Sequence, residues 1–201
     1  MRLVLASNNA KKLVELQALF APLGLDLVTQ GSLGIPEAEE PHITFVENAL
    51  AKARHAAQAA QCAAIADDSG LCVEALGGAP GVLSARYATL FGGRRDDEAN
   101  NDTLLAKLAG VAGRRARFVS ALVAVRSADD PEPLIAFGRW DGEVLTARQG
   151  QGGFGYDPLM FIPALGQTVA ELPAEVKNRH SHRALAAQQM LTLMREVWHL
   201  G

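Results

Sequence analysis

The chain has 201 residues, 49% of them hydrophobic and 20% charged, with 19 basic and 22 acidic residues and a net charge of −3. That size suits one α/β domain, or two lobes sharing one core, and the composition excludes a disordered chain. The near balance of charge excludes a nucleic-acid coat or a membrane-binding surface, so any basic site has to be local. No stretch is apolar for long enough to span a bilayer.

In chain order, "RLVLAS" reads as a short apolar strand, because the opening is too brief for a signal-peptide core. "NAKKLVELQALFAPLG" follows as a helix, with Leu13, Leu16, Leu19 and Phe20 at helical spacing and Pro22 and Gly24 closing it. "LDLVTQ" alternates as a strand, and "GSLGIPEAEEPHI" is a loop carrying Glu37, Glu39 and Glu40. "TFVENALAKARHAAQAAQ" is a helix opened by a Thr44/Glu47 capping box. Its buried stripe is Val46, Ala49, Leu50, Ala53 and Ala57, while Asn48, Lys52 and His55 share another face.

"AAIAD" reads as a buried strand ending at two adjacent acids. "LCVEALGGAPGVLSARYA" reads as a short strand, a Gly/Pro turn and a second extended piece. "DDEANNDTLLAKLAG" is a helix ended by glycine, and "ARFVSALVAVR" and "PLIAFGRWDGEVLT" are strands expected to pair antiparallel across "SADDPE". A glycine-rich loop, "ARQGQGGFGYDP", leads to the strand "LMFIP". "SHRALAAQQMLTLMREVWHL" is the closing helix, with Ser181 as N-cap. There is no repeat or low-complexity tract, and the mixture argues for a mixed α/β sheet. Cys62 and Cys72 lack metal-ligand spacing and read as small hydrophobes in a reducing compartment, which places the chain in the cytoplasm.

Four stretches carry chemistry. "LASNNAKK" puts Lys11 and Lys12 in the first turn of a helix, where cations oppose the macrodipole by a few tenths to about 1 kcal/mol. A bound anion reverses that sign; an Asn8 or Asn9 cap with solvated lysines is the plain alternative. Asp67 and Asp68 repel one another unless a cation neutralises them or a turn separates them. With Glu40 they form a carboxylate set of the kind Mg²⁺ takes alongside waters and phosphate oxygens. In "GQGGFGYDP", Gly150, Gly152, Gly153 and Gly155 surround Phe154, which suits a backbone closing on a ligand and a ring lying on a flat base, or equally a connection around a buried aromatic. "KNRHSHR" crowds Lys177, Arg179, His182 and Arg183 at the start of the last helix, either for an anionic partner or as a solvated patch.

Together these pieces resemble the Ham1-like nucleoside triphosphate pyrophosphatases. The resemblance covers nearly the whole chain as one domain over 1–201, through "LASNNAKK", "TFVENALAKA", "AIADDSGLCVEALGGAPGVLSARYA", "GGFGYDPLMFIP" and "ELPAEVKNRHSHR" in family order. It implies an elongated two-lobed α/β fold with a long mixed central sheet flanked by helices and a site in the cleft between lobes. It also implies a Mg²⁺-dependent homodimer that converts ITP, dITP and XTP to monophosphate and pyrophosphate, with no nucleic-acid or membrane partner.

By position, the resemblance implies that Ser7, Asn8, Asn9, Ala10, Lys11 and Lys12 form the triphosphate loop, with Lys12 its main cation. Glu40 and Asp68 become the metal carboxylates, Asp68 also the proton acceptor, and Asp67 its support. Lys52 becomes a second phosphate contact and Ser69 faces substrate. Phe154, Gly155, Tyr156, Asp157, Lys177, His182 and Arg183 become the base and sugar pocket, with His182 and Arg183 donating to the purine carbonyl. "SNNAKK" departs from the "TGNxxK" of many relatives by losing a glycine. A nucleotide sensor without turnover and a pyrophosphatase of modified pyrimidines are the rival readings.

Overall fold

The computed structural model describes residues 1–200. Its strands are β1 (Arg2–Leu5), β2 (Asp26–Thr29), β3 (Ala64–Val73), β4 (Arg115–Val125), β5 (Leu134–Val144), β6 (Met160–Ile162) and β7 (Gln167–Thr168). Its helices are α1 (Ala10–Phe20), α2 (Phe45–Ala60), α3 (Asp97–Lys107), α4 (Ala174–His180) and α5 (His182–Val197). The strands form one mixed sheet in the order β2-β1-β3-β4-β5-β6-β7. Its pairs are parallel at β1–β2 and β1–β3 and antiparallel at β5–β6 and β6–β7. The chain divides into two compact units, the first Met1–Asp68, Ser120–Gly138 and the segment from Ser181, the second Ser69–Val119 and Arg139–His180.

In the first unit, the two-residue period of a strand sorts the core into two layers. Leu3, Leu5, Ile65, Leu122 and Ala124 face one way and pack with Leu16 and Phe20 of α1 and Ala186, Met190 and Met194 of α5. The residues between them, Val4, Ala6, Ala64, Ala66, Val123 and Val125, face the other way onto Ala49, Ala53, Ala56 and Ala57 of α2. The α2 stripe is alanine because the helix lies close to the sheet. The second unit has its own core, in which Leu71 and Val73 meet Leu104, Leu108, Trp140, Tyr156 and Leu159.

Three expectations change. β3 does not end at the acids but runs through Asp67 and Asp68 to Val73, so they do not form a turn. Residues Gly81–Phe91 are two 3₁₀-helical pieces broken by a kink at Arg86, where the sequence through Ala88 reads as extended. Their buried members Ser84, Tyr87 and Ala88 recur at three and four residues, a helical rather than a strand spacing. "KNRHSHR" is split by Ser181, which caps α5, so Lys177 and Arg179 lie in the last turn of α4, the end that favours cations.

One glycine sets how closely α5 approaches the sheet. A Cβ on Gly138 of β5 would lie 1.7 Å from the His182 carbonyl oxygen and 2.7 Å from the Ala186 nitrogen, both backbone atoms that cannot step aside. Gly138→Ala should therefore displace the start of α5 and cost about 3 kcal/mol. Thermal denaturation should show a loss of roughly 6–12 °C in Tm; a Tm within a degree of wild type would mean that α5 is free to retreat.

Candidate active site

Adjacent residues of a strand point to opposite faces. Asp67 therefore projects with Ile65 toward α1 and α5, and Asp68 with Ala66 toward α2. Each meets its own cations, which is how two neighbouring carboxylates coexist in a buried strand.

On the first face, Asp67 is 1% exposed. Its Oδ2 lies 2.7 Å from Lys12 Nζ and 3.3 Å from Arg183 Nη2, and its Oδ1 accepts from the Ser120 hydroxyl at 2.6 Å. Arg183, 2% exposed, also donates from Nη1 to Glu15. Lys12 and Glu15 are one turn apart on α1, so two acids and two bases form a neutral quartet centred on the buried Asp67 and Arg183. Burial alone would raise the Asp67 carboxyl. The attraction of Lys12 and Arg183, with the bonds from Lys12 and Ser120, overrides it and holds the group well below the usual aspartate range.

On the second face, Lys52 spends its three ammonium protons on Glu40 Oε1 at 2.7 Å, Asp68 Oδ1 at 2.8 Å and the Asp67 carbonyl at 3.0 Å. Burial would lower Lys52, but Asp68 and Glu40 together keep it above the ordinary lysine value. The balance at Asp68 runs the other way. Its desolvation outweighs the pull of Lys52, and the carboxyl sits above the ordinary aspartate value. Its Oδ2 is buried and makes no hydrogen bond. That atom is a proton or cation acceptor without a partner, 6% exposure notwithstanding.

The residues expected to form a triphosphate loop sit at the start of α1. Asn9 is the N-cap, accepting from the amides of Lys11 and Lys12 at 3.0 and 3.1 Å, and Ser7 Oγ accepts from the Asn9 amide at 3.1 Å. Asn8, Ala10 and Lys11 are exposed, and Lys12 is half-buried against Asp67. The Asn9 cap is formed, and Lys12 is paired with Asp67 rather than solvated. His182 begins α5 and is buried.

The glycine-rich loop belongs to the second unit and is shaped around Asp157. Asp157 Oδ2 takes Lys177 Nζ at 2.9 Å and the Phe154 amide at 3.0 Å. Lys177 Nζ also stands 4.5 Å from the centroid of the Phe154 ring. A Cβ on Gly153, at φ +73°, would strike Asp157 Oδ2 at 2.1 Å, so only glycine fits this turn. The Gly155 amide donates to Asp97 at 2.8 Å, and the Tyr156 hydroxyl donates to the Ser84 carbonyl at 2.8 Å. Ser69, half-buried, follows the acids on β3.

Sequence reasoning missed two members, Glu15 and Ser120. Glu15 lies three residues after Lys12 on one helix face, and Ser120 is the only hydroxyl in the apolar run "FVSALVAV"; both were visible signals. Among the described residues no group of three or more His, Cys, Asp or Glu side chains converges as a metal cage.

A mixed α/β sheet with ion clusters on both faces of one central strand defines the structural class. A model of the Ham1 family matches residues 3–193. The chain is 69% identical over 212 residues to the dITP/XTP pyrophosphatase of Leptothrix cholodnii, covering all of both chains. It is 71% identical to that of Methylibium petroleiphilum, covering 98% of this chain and 99% of the relative. Among solved structures, the HAM1 protein of Coxiella burnetii superposes with a TM-score of 0.90 at 41% identity, over 98% of this chain and all of that one. The Staphylococcus aureus Ham1 protein gives 0.84 at 37% identity, over 96% and 98%. The chain belongs to the Ham1 family.

The two acids should respond differently to amidation. Asp67→Asn removes from a buried position the carboxylate that Lys12 and Arg183 share and should cost about 3–5 kcal/mol. Because the folded value of Asp67 is depressed, its contribution is complete above the unfolded value of 3.8 and is lost as pH falls through the folded one. The deficit of Asp67→Asn should thus be full at neutral pH and shrink below pH 3.8. Asp68, with a raised folded value, costs stability when ionised at neutral pH, so Asp68→Asn should shift stability by no more than about 1 kcal/mol. Denaturant unfolding across pH checks both; equal losses would contradict the division of roles.

Proposed function

We propose that the chain hydrolyses dITP, ITP and XTP to the nucleoside monophosphate and pyrophosphate, so removing deaminated purines from the nucleotide pool. The observation that carries this reading is full-length identity of 69% and 71% to two relatives named dITP/XTP pyrophosphatase. The ionic arrangement supports it. Lys12 and Lys52 are the cations to neutralise charge building on a pyrophosphate leaving group, and the amides at the start of α1 add donors beside Lys12.

Asp68 brings a carboxylate oxygen to this reading in one of two ways, as acceptor of the water's proton or as ligand of the metal that acidifies the water. Its Oδ2 has no hydrogen bond to give up, and its raised value makes it a better base than an ordinary aspartate. Asp67 supports it indirectly by holding Lys12 in place through the quartet with Arg183 and Glu15. Phe154 would stack on the base, with Gly155, Tyr156, Asp157, Lys177, His182 and Ser69 completing the base and sugar contacts. On the family resemblance Arg183, with His182, would donate to the purine carbonyl, and its ion pairs with Asp67 and Glu15 fix its place at the start of α5.

Glu40 and Asp68 would hold Mg²⁺. The fit rests on two carboxylates brought to one ammonium, 2.7 and 2.8 Å away, and on the unpartnered Asp68 Oδ2. Two carboxylates suffice for Mg²⁺, which keeps waters and takes substrate phosphate oxygens for the rest. When bound there, the metal supplies Lewis-acid polarisation of phosphate oxygens and acidifies water. A homodimer working in the cytoplasm completes the reading, on the strength of the family resemblance; no described helix is long and apolar enough to cross a membrane.

Phosphorus NMR of a reaction with dITP should show pyrophosphate and monophosphate from the first turnover, with no early orthophosphate. Activity should stop in EDTA and return with Mg²⁺. Asp68→Asn should lower kcat by about 10²–10⁴-fold. A nucleoside diphosphate product would move the cut by one phosphate, and binding without turnover would make the protein a sensor. A modified pyrimidine triphosphate turned over far better than dITP would overturn the substrate class.

A further inference from the structure

The loop that carries Glu40 has no regular secondary structure between Ile35 and His42. Glu40 itself is only half-buried, and Pro36 and Pro41 flank it without amide protons to anchor a ladder. Something else has to fix its carboxylate. Three residues on one face of α2 do so, each gripping a different part of the loop.

Asn48 is 1% exposed and makes a two-way contact with one residue. Its Oδ1 accepts from the His42 amide at 3.0 Å, and its Nδ2 donates to the His42 carbonyl at 3.0 Å. This reproduces with a side-chain amide the paired bonds that a neighbouring strand would make. Two turns further on, His55 Nε2 lies 2.9 Å from the Pro36 carbonyl. A carbonyl only accepts, so Nε2 carries the proton. Between them Lys52 takes Glu40. The loop is thus held four residues before Glu40 and two residues after it.

A buried amide inside a helix is costly unless paired, and asparagine is a weak helix former. Alanine fills the adjacent buried positions Ala49 and Ala53 of the same helix. Asn48 therefore stands where packing alone would accept alanine.

We propose that Asn48 and His55 are positioning residues that fix the Glu40 carboxylate opposite Asp68 for a divalent cation. The inference rests on the proposed function only in what Glu40 holds. Neither residue touches the reacting atoms. Both act by keeping the loop in one place, so their loss should weaken cation binding more than it slows the bound enzyme. Removing such supporting contacts typically costs about 10–100-fold in metal affinity or activity.

The test is Mn²⁺ binding to the full chain without nucleotide, read from the free-ion signal in electron paramagnetic resonance. Glu40→Gln sets the reference for a lost carboxylate. Asn48→Ala and His55→Ala should each weaken Mn²⁺ by about tenfold. His55→Gln, which can still donate to the Pro36 carbonyl, should bind within about threefold of wild type, on the same outer-contact scale. With dITP, the alanine variants should need more Mg²⁺ for half-maximal rate and recover most of kcat at saturating metal. If Asn48→Ala fails to fold, the half-buried His55 pair of variants decides. Wild-type Mn²⁺ affinity in His55→Ala, with Glu40→Gln impaired, would overturn the positioning role and leave the metal site standing. Equal Mn²⁺ binding by wild type and Glu40→Gln would instead remove Glu40 from the metal site, and the positioning role with it.

Discussion

The alternation of side chains along β3 is the constraint on which the site depends. Two acids in sequence can be buried together only because the strand sends them to opposite faces, where separate helices bring separate cations. A turn at this point would have left both on one side in water. As it is, Asp67 faces two cations and a hydroxyl, while Asp68 faces one cation that it shares with Glu40. The same residue type thereby acquires opposite titration behaviour one position apart, one carboxyl held down against its burial by Lys12 and Arg183 and the other pushed up by burial.

Close packing makes those contacts reachable. The alanine stripe of α2 brings its axis near the sheet, which places the Lys52 ammonium on the Asp67 carbonyl as well as on Asp68. Gly138 does the same for α5, whose first turn carries the buried Arg183. A guanidinium with no water around it has to be neutralised within its reach, and two acids from different elements do so. The pairing of Arg183 with Glu15 joins residues 168 positions apart. It therefore ties α5 to α1 as firmly as it holds the site.

Much of this was legible in the sequence, where local physics decided the outcome. The spacing of Leu13, Leu16 and Phe20 fixed α1, Thr44 caps α2 through the Glu47 amide while the Glu47 carboxylate meets the Thr44 hydroxyl instead of returning to its amide, and Ser181 caps α5 as its type and place suggested. The errors fall where tertiary contacts overrule local signals. Adjacent acids looked like the end of a strand because their charged partners on α1, α2 and α5 lie from 16 to 116 positions away along the chain. The Gly/Pro turn made the piece that follows it, as far as Ala88, look extended, although Ser84 and Tyr87 are buried in the second unit. Of the site, the lysines and carboxylates were recognisable as residue types at family positions, but which lysine serves which acid is a matter of strand parity and could be known only once β3 was seen to continue through both.

The central claim is that Asp67 and Asp68 live in separate electrostatic environments. A carbon-detected NMR titration of the aspartate carboxyl groups tests it most directly. The account predicts that Asp67 stays ionised well below 3.8 while Asp68 titrates above that value, with Mg²⁺ perturbing Asp68 and leaving Asp67 nearly unmoved. Two carboxyls that titrate together, or that respond equally to the metal, would contradict it.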